Sequence, residues 1–181
     1  MSRTIWVAVA AAVIALGAAG CGTSDADTGA AAPSSPPPRP KGTGPLPEKV
    51  VRTDLDTSTA DAGVPANAPD YARSIEERSD GSPLSCTVAF KGFGTKSTPV
   101  DLSSFEGVVS ELGERDWQLS RKREDRKHTD GDIAESRTVL KQRGWTLIAS
   151  YLVLADNGVI TLFASEDACI KKIGADTDLL G

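Results

Sequence analysis

Hydrophobic and polar positions alternate most regularly in the last third of the chain. From Ala134 to Gln142, the residues Ala134, Ser136, Thr138 and Leu140 fall on one side and Glu135, Arg137, Val139 and Lys141 on the other. Such alternation predicts a half-solvated strand. Arg143-Gly144 reads as a tight turn into a second strand, Trp145 to Ala155, and Asp156-Asn157-Gly158 as a turn into a third, Val159 to Ser165. Asn-Gly between two runs of β-formers is a strong hairpin signal, because the favoured two-residue turn needs positive φ at both central positions. In the last two strands Leu147, Ala149, Tyr151 and Val153 alternate with Ile148, Leu152 and Leu154. Being apolar on both faces, they are expected at the centre of the sheet or covered on both sides.

Upstream the period lengthens. Leu102, Phe105, Val108, Val109 and Leu112 recur at helical spacing between Asp101 and Glu114 and make one apolar stripe. Ser103 and Glu106 have the capping-box spacing, with Asp101 as the alternative cap. Gly107 inside this pattern costs about 1 kcal/mol relative to Ala, tolerable where something packs closely. A shorter helix is predicted with Asn67 as N-cap, Tyr71, Ala72 and Ile75 on one side, and Asp80-Gly81 as its stop. Cys86 to Phe90 reads as a strand, Lys91 to Ser97 as a glycine loop, Trp117 to Arg123 as a strand, and Glu124 to Asp132 as a long polar loop. The elements add up to an α+β domain over 70–173, with a tail over 174–181. Its four- or five-stranded, mostly antiparallel sheet is covered by one main helix, 101–114, and a short N-terminal helix.

The N-terminal third has a different texture. Nine of the eleven prolines lie between Pro33 and Pro69, in a segment written in Ala, Ser, Thr, Asp, Gly and Pro. So few large apolar groups cannot offset the entropy of ordering, and residues 21–69 are expected to form a disordered tether. As a flexible coil its roughly 48 residues span on the order of 40 Å. The patch Val50 to Leu55 reads at most as a short strand within it. Residues 1–20 carry one positive charge, Arg3, ahead of an uncharged run from Ile5 to Gly20, the shape of a secretion signal. That run is shorter than the roughly 20 residues of a spanning helix.

Charge and cysteine usage narrow the partners. A formal net charge of −5 argues against nucleic acid, which needs a basic face to displace phosphate counterions. The three cysteines divide into Cys21 in the leader and Cys86 and Cys169 near the two ends of the domain. The last two are expected to pair in an oxidising compartment, where closing a loop of about 80 residues stabilises by on the order of 4 kcal/mol. Within this acidic chain, Arg115, Arg121, Lys122, Arg123, Arg126 and Lys127 make a local basic region. It is read as a solvated strand end or, more sharply, as a contact with an anionic wall polymer, lipid headgroup or acidic partner. Trp117 or Trp145 would assist that contact, although both are expected first of all to be half-buried at the ends of strands.

The inventory for catalysis is thin. His128, the single histidine, lies among Lys127, Thr129 and Asp130 in a predicted loop, which is poor support for a nucleophile-histidine site. No paired Cys-x-x-Cys or His-x-x-x-His is present, and Asp130-Gly131-Asp132 lacks the ligand series of a calcium loop. Gly94-Thr95-Lys96-Ser97 lacks the glycine spacing of a phosphate loop. Asp116, Glu135 and Glu166 stand as an acid and base set at unknown separation. No catalytic, cofactor or metal site is expected.

The run Leu16-Gly17-Ala18-Ala19-Gly20-Cys21 resembles the lipobox of bacterial lipoproteins, with Ala18 where Leu is commonest. With the Ala/Pro/Ser/Thr segment behind it, the chain is similar to small lipoproteins of high-GC Gram-positive bacteria. That resemblance implies cleavage before Cys21, a lipid on its thiol, and anchorage to the outer face of the cell membrane. By element order alone the domain also looks like the repeat unit of secreted β-lactamase-inhibitor-like domains, or like a cystatin-like or nuclear-transport-factor-like sheet around a helix. The expected function is a non-catalytic binding or protein-interaction module facing an envelope protein or wall polymer. The alternatives are an envelope enzyme using carboxylates in a curved-sheet pocket, and an inhibitor of a secreted hydrolase presenting loops at Lys91 to Thr98 or Glu124 to Asp132.

Overall fold

The computed structural model describes residues 39–76, 81–155 and 157–174. The leader, Cys21, the first part of the expected tether and the tail after Gly174 lie outside the described residues. Five strands form one antiparallel sheet in the order β1-β5-β4-β3-β2, where β1 is Thr87–Phe93, β2 Gln118–Lys127, β3 Ile133–Gln142, β4 Trp145–Leu154 and β5 Asn157–Glu166. Around it lie α1 (Glu48–Asp61), α2 (Pro69–Glu76), α3 (Leu102–Glu114) and α4 (Asp167–Lys172), with a 3-10 turn at Pro83–Cys86 before β1. The fold is α+β, and β4 and β5 are interior strands, as their two apolar faces require.

One face of the sheet carries the core. Val88 and Phe90 of β1, Leu140 of β3, Leu147, Ala149 and Tyr151 of β4, and Ile160, Leu162 and Ala164 of β5 pack with Phe105, Val108 and Leu112 of α3 and Val51 and Leu55 of α1. On the opposite face Ile148, Leu152 and Phe163 are only half-buried. There α2 lies against β1, and the Lys91 ammonium sits 4.9 Å from the Tyr71 ring centre and 5.2 Å from that of Phe93. Cys86 and Cys169 form a disulfide, Cα to Cα 5.6 Å, joining the start of β1 to α4.

The expected tether is the largest correction. Residues 39–69 belong to the domain, and Val50 to Leu55 is part of helix α1 rather than a strand. Buried positions Val51, Asp54, Leu55, Ser58 and Thr59 follow helical spacing, but three of the five are polar, so no apolar stripe marks the helix. Ahead of α1, residues 40–46 wrap the Arg143-Gly144 turn. Arg143 Nη1 donates to Pro40 O at 2.8 Å and Nε to Gly44 O at 2.9 Å, while Leu46 N donates to Arg143 O at 3.2 Å. Trp145 Nε1 donates to Leu46 O at 2.8 Å, closing the wrap.

Smaller corrections concern caps, a turn and a strand end. The α3 capping box is Asp101 with Ser104, not Ser103 with Glu106: the Asp101 carboxylate accepts from Ser104 N at 2.8 Å. Asn67 does not cap α2, which begins at Pro69. Its side-chain amide instead pairs with both backbone groups of Phe93, at 2.7 and 2.8 Å. Nor does Asn157-Gly158 make the last turn, because Leu154 already faces Asn157 and Ala155, at φ 53°, lies in the link. Gly158 is needed within the strand, where a Cβ would collide with the passing Val100 carbonyl. Finally, β2 runs on to Lys127, so only residues 128–132 remain of the long polar loop.

Candidate functional site

The basic residues predicted as an interaction surface converge on β2, an edge strand exposed at all ten positions. Its sequence, Gln-Leu-Ser-Arg-Lys-Arg-Glu-Asp-Arg-Lys, has no apolar side to bury, which is why the period-2 signal faded after Arg123. Pairing with β3 nevertheless continues through Glu124 with Arg137, Asp125 with Ser136 and Arg126 with Glu135. The register shifts between Leu119 and Arg121, between Arg121 and Glu124, and again at Lys127. Bulges and charges of this kind discourage edge-to-edge pairing with a second copy.

Not every predicted residue stays available there. Arg123 pairs with Glu106 and Asp125, and Arg126 with Glu135 at 2.7 Å. Arg121 is exposed, and Lys122 and Lys127 pair with no acidic side chain among the described residues. Arg115 is withdrawn, its guanidinium held by Asp61 at 2.7 Å and Glu111 at 2.9 Å. Trp117 is also removed from the surface: it is 3% exposed, and its Nε1 donates to Asp54 Oδ2 at 3.0 Å. The α3 terminus turns it inward, because Asp116, at φ 65°, reverses the chain while Trp117 N and Asp116 N close on Leu112 O and Gly113 O. Trp145 is buried beneath Leu46. The exposed apolar residue on this edge is Leu119, 64% accessible.

The carboxylates proposed as an acid and base set are not brought together. Glu135, opposite Leu152, lies toward one end of the sheet, whereas Glu166, opposite Trp145, lies at the other. Asp116 sits 3.7 Å from Arg39 Nε. A carboxyl held above its ordinary value is Asp54, which pattern reading passed over. Burial raises its pKa, and the Trp117 hydrogen bond and Arg39 offset part of that rise. Both of its oxygens lie 3.0 Å from Arg39 Nη2, and one also takes the Trp117 bond, so it acts as a structural joint between the wrap, α1 and the end of α3. His128 is exposed in the β2–β3 turn, where its backbone closes on Asp132 and Gly131. Among the described residues no group of three or more His, Cys, Asp or Glu could hold a metal ion.

Arg39, the partner of Asp54, also lines a cavity of about 560 Å³ together with Pro40, Asp116, Gln118, Lys141, Gln142 and Arg143. Three separate stretches of chain build it: the wrap, the start of β2, and the β3–β4 turn. Of its lining residues, sequence reasoning singled out only Asp116. A lone Arg39 within a proline run was the available signal, since a charge there has no packing role of its own. Comparison with known protein families, with characterised proteins and with solved structures finds no match for this chain.

Proposed function

We propose that this chain is an extracytoplasmic lipoprotein, anchored to the outer face of the cell membrane by a lipid on Cys21, whose domain is a non-catalytic binding module. The module engages an acidic partner along the β2 edge. The observation that carries this reading is the character of β2: ten consecutive exposed residues with five cations and two carboxylates, in a protein of net charge −5. An excess of positive charge along one edge of an acidic chain, even with Arg123 and Arg126 paired, steers an oppositely charged partner and sets its orientation. Gly-Cys after a small-residue run supports the anchor.

The test is capture of partners by the full chain from detergent-solubilised envelopes under mild cross-linking, comparing wild type with the Lys122→Glu, Lys127→Glu double variant. Reversing two unpaired charges is expected to reduce recovery of the partner by about tenfold and to flatten its salt dependence. Recovery unchanged by the reversal, or no partner at all, rejects the β2 reading. The anchor is checked separately by intact mass: a chain retaining Met1 to Gly20, or beginning at an unmodified residue, rejects it.

A further inference from the structure

We infer that the cavity where the chain enters the domain is a binding site for a phosphate ester of a polyol. Its charge is the first argument. Arg39, Lys141 and Arg143 face one carboxylate, Asp116. Arg39 is largely compensated, by Asp54 at 3.0 Å and Asp116 at 3.7 Å. The other two cations are not. Arg143 spends Nε and Nη1 on the neutral carbonyls of Gly44 and Pro40, which fix its position without cancelling its charge. Lys141 is exposed and pairs with no acidic group among the described residues. A guanidinium held rigidly beside a mobile ammonium suits a phosphate, which accepts charge-assisted hydrogen bonds from both.

The second argument is the unmet polar inventory. Arg39 Nη1 and Gln142 Oε1, on two side chains that line the cavity, are buried without a hydrogen-bond partner. Buried polar atoms are nearly always satisfied, so an unpaired donor and an unpaired acceptor on two side chains of one cavity lining call for explanation. A bare anion offers acceptors only. A hydroxyl-bearing phosphate ester offers acceptors to the cations and a donor to Gln142 once these side chains adjust. At about 560 Å³ the cavity is also of the size of small-molecule sites rather than of a single ion.

Two sources share this chemistry, a soluble polyol phosphate and the headgroup of an anionic glycerophospholipid. The second rests on the Cys21 anchor proposed above. The phosphate ester inference itself depends neither on the anchor nor on partner binding along β2.

The experiment is an NMR titration of the full chain in neutral detergent, following the side-chain amides of Gln118 and Gln142 and the Arg143 Nε signal. The probes are glycerol 1-phosphate, inorganic sulfate and a short-chain phosphatidylglycerol. Glycerol 1-phosphate is expected to give saturable shifts confined to these signals, binding about tenfold more tightly than sulfate. Lys141→Gln, which removes a charge but no contact that holds the fold, is expected to weaken binding by about tenfold. Tighter binding of the lipid than of glycerol phosphate supports the headgroup as source, and equal or weaker binding supports the soluble ester. Absent shifts, shifts indifferent to Lys141→Gln, or sulfate binding as tightly as the ester (an adventitious anion only) overturn the inference. None of these results bears on the mass of the mature N-terminus, so failure here and failure of the anchor are told apart.

Discussion

Helices α1 and α3 lie side by side on the same face of the sheet and are nearly equal in length, 14 and 13 residues. They are held there by different means. The buried residues of α3 are Phe105, Val108 and Leu112, so its own side chains supply the apolar area that drives docking. Those of α1 include Asp54, Ser58 and Thr59 beside Val51 and Leu55. Its one buried charge is met by partners far away in sequence, Thr59 is satisfied within the helix itself, and the Ser58 hydroxyl is buried without a partner. Arg39 and Trp117 both bond Asp54, and Thr59 turns its hydroxyl back to Leu55 O at 2.8 Å. The lesson is that a buried helix need not be an amphipathic one, provided its buried charge is paired and most of its other polar groups are satisfied locally.

The sharpest way to break this comparison is to remove one anchor from each helix. Phe105→Ala is expected to cost about 3–5 kcal/mol through transfer and cavity terms. Asp54→Ala is expected to cost about 3 kcal/mol, at the low end for a broken buried pair because Arg39 keeps Asp116. Urea unfolding of the two variants checks the parity. An Asp54→Ala cost below about 1 kcal/mol would show that α1 is held by Val51 and Leu55 alone.

The seam between the helices offers a smaller and more local test. A Cβ added at Gly107 would lie 3.4 Å from Ala62 Cβ, just beyond the end of α1, so this position has room for one methyl group and little more. Gly107→Val is expected to cost about 1–3 kcal/mol by overpacking. At Gly113 nothing lies within 4 Å, so Gly113→Ala gains up to about 1 kcal/mol of helix propensity. Thermal unfolding of both variants decides the matter, and equal effects at the two positions would mean that α1 does not constrain α3.

The finest distinction is one of pH dependence. Asp54 is held above the ordinary aspartate value of 3.8, chiefly by burial. A carboxyl whose folded pKa is raised binds its proton more tightly when folded. Its contribution to stability is greatest below the unfolded pKa and declines as pH rises through the window up to the folded one. Asp101, the α3 cap, is held below 3.8, first by the Ser103 hydroxyl and next by the Ser104 N–H. Its contribution is present above the unfolded pKa and is lost as pH falls through the lowered one. In Asp54→Asn the decline assigned to Asp54 is expected to vanish, so the stability of wild type relative to this variant falls as pH rises from about 3.8. Urea unfolding across the acidic range measures it, and a pH-independent difference rejects the assignment.

The same contrast recurs within the sheet. Strands β3, β4 and β5 were legible because alternation records which side of a strand is buried, and their interior places followed from two apolar faces. The second half of β2 was not, because an edge strand exposed on every side imposes no period on its residues. Of the candidate interaction surface, the cluster of cations was visible in order along the chain. Which of them remain free was not, since Arg115, Arg123 and Arg126 are claimed by Asp61, Glu106 and Glu135 from other elements.

The sequence by itself determined the α+β class, helix α3 and the three-strand meander from β3 to β5, since each of these is encoded by a local period in its own residues. It also singled out Cys86 and Cys169 as the pair to close the domain. Only the tertiary structure decided that the domain begins by Arg39, that α1 exists, that Trp117 is buried and that a cationic cavity lies at the entry of the chain. The physical reason is common to all four. Each depends on a polar group finding its partner across the fold, as Trp117 finds Asp54 from 63 residues away, and such a match leaves no periodic trace along the chain.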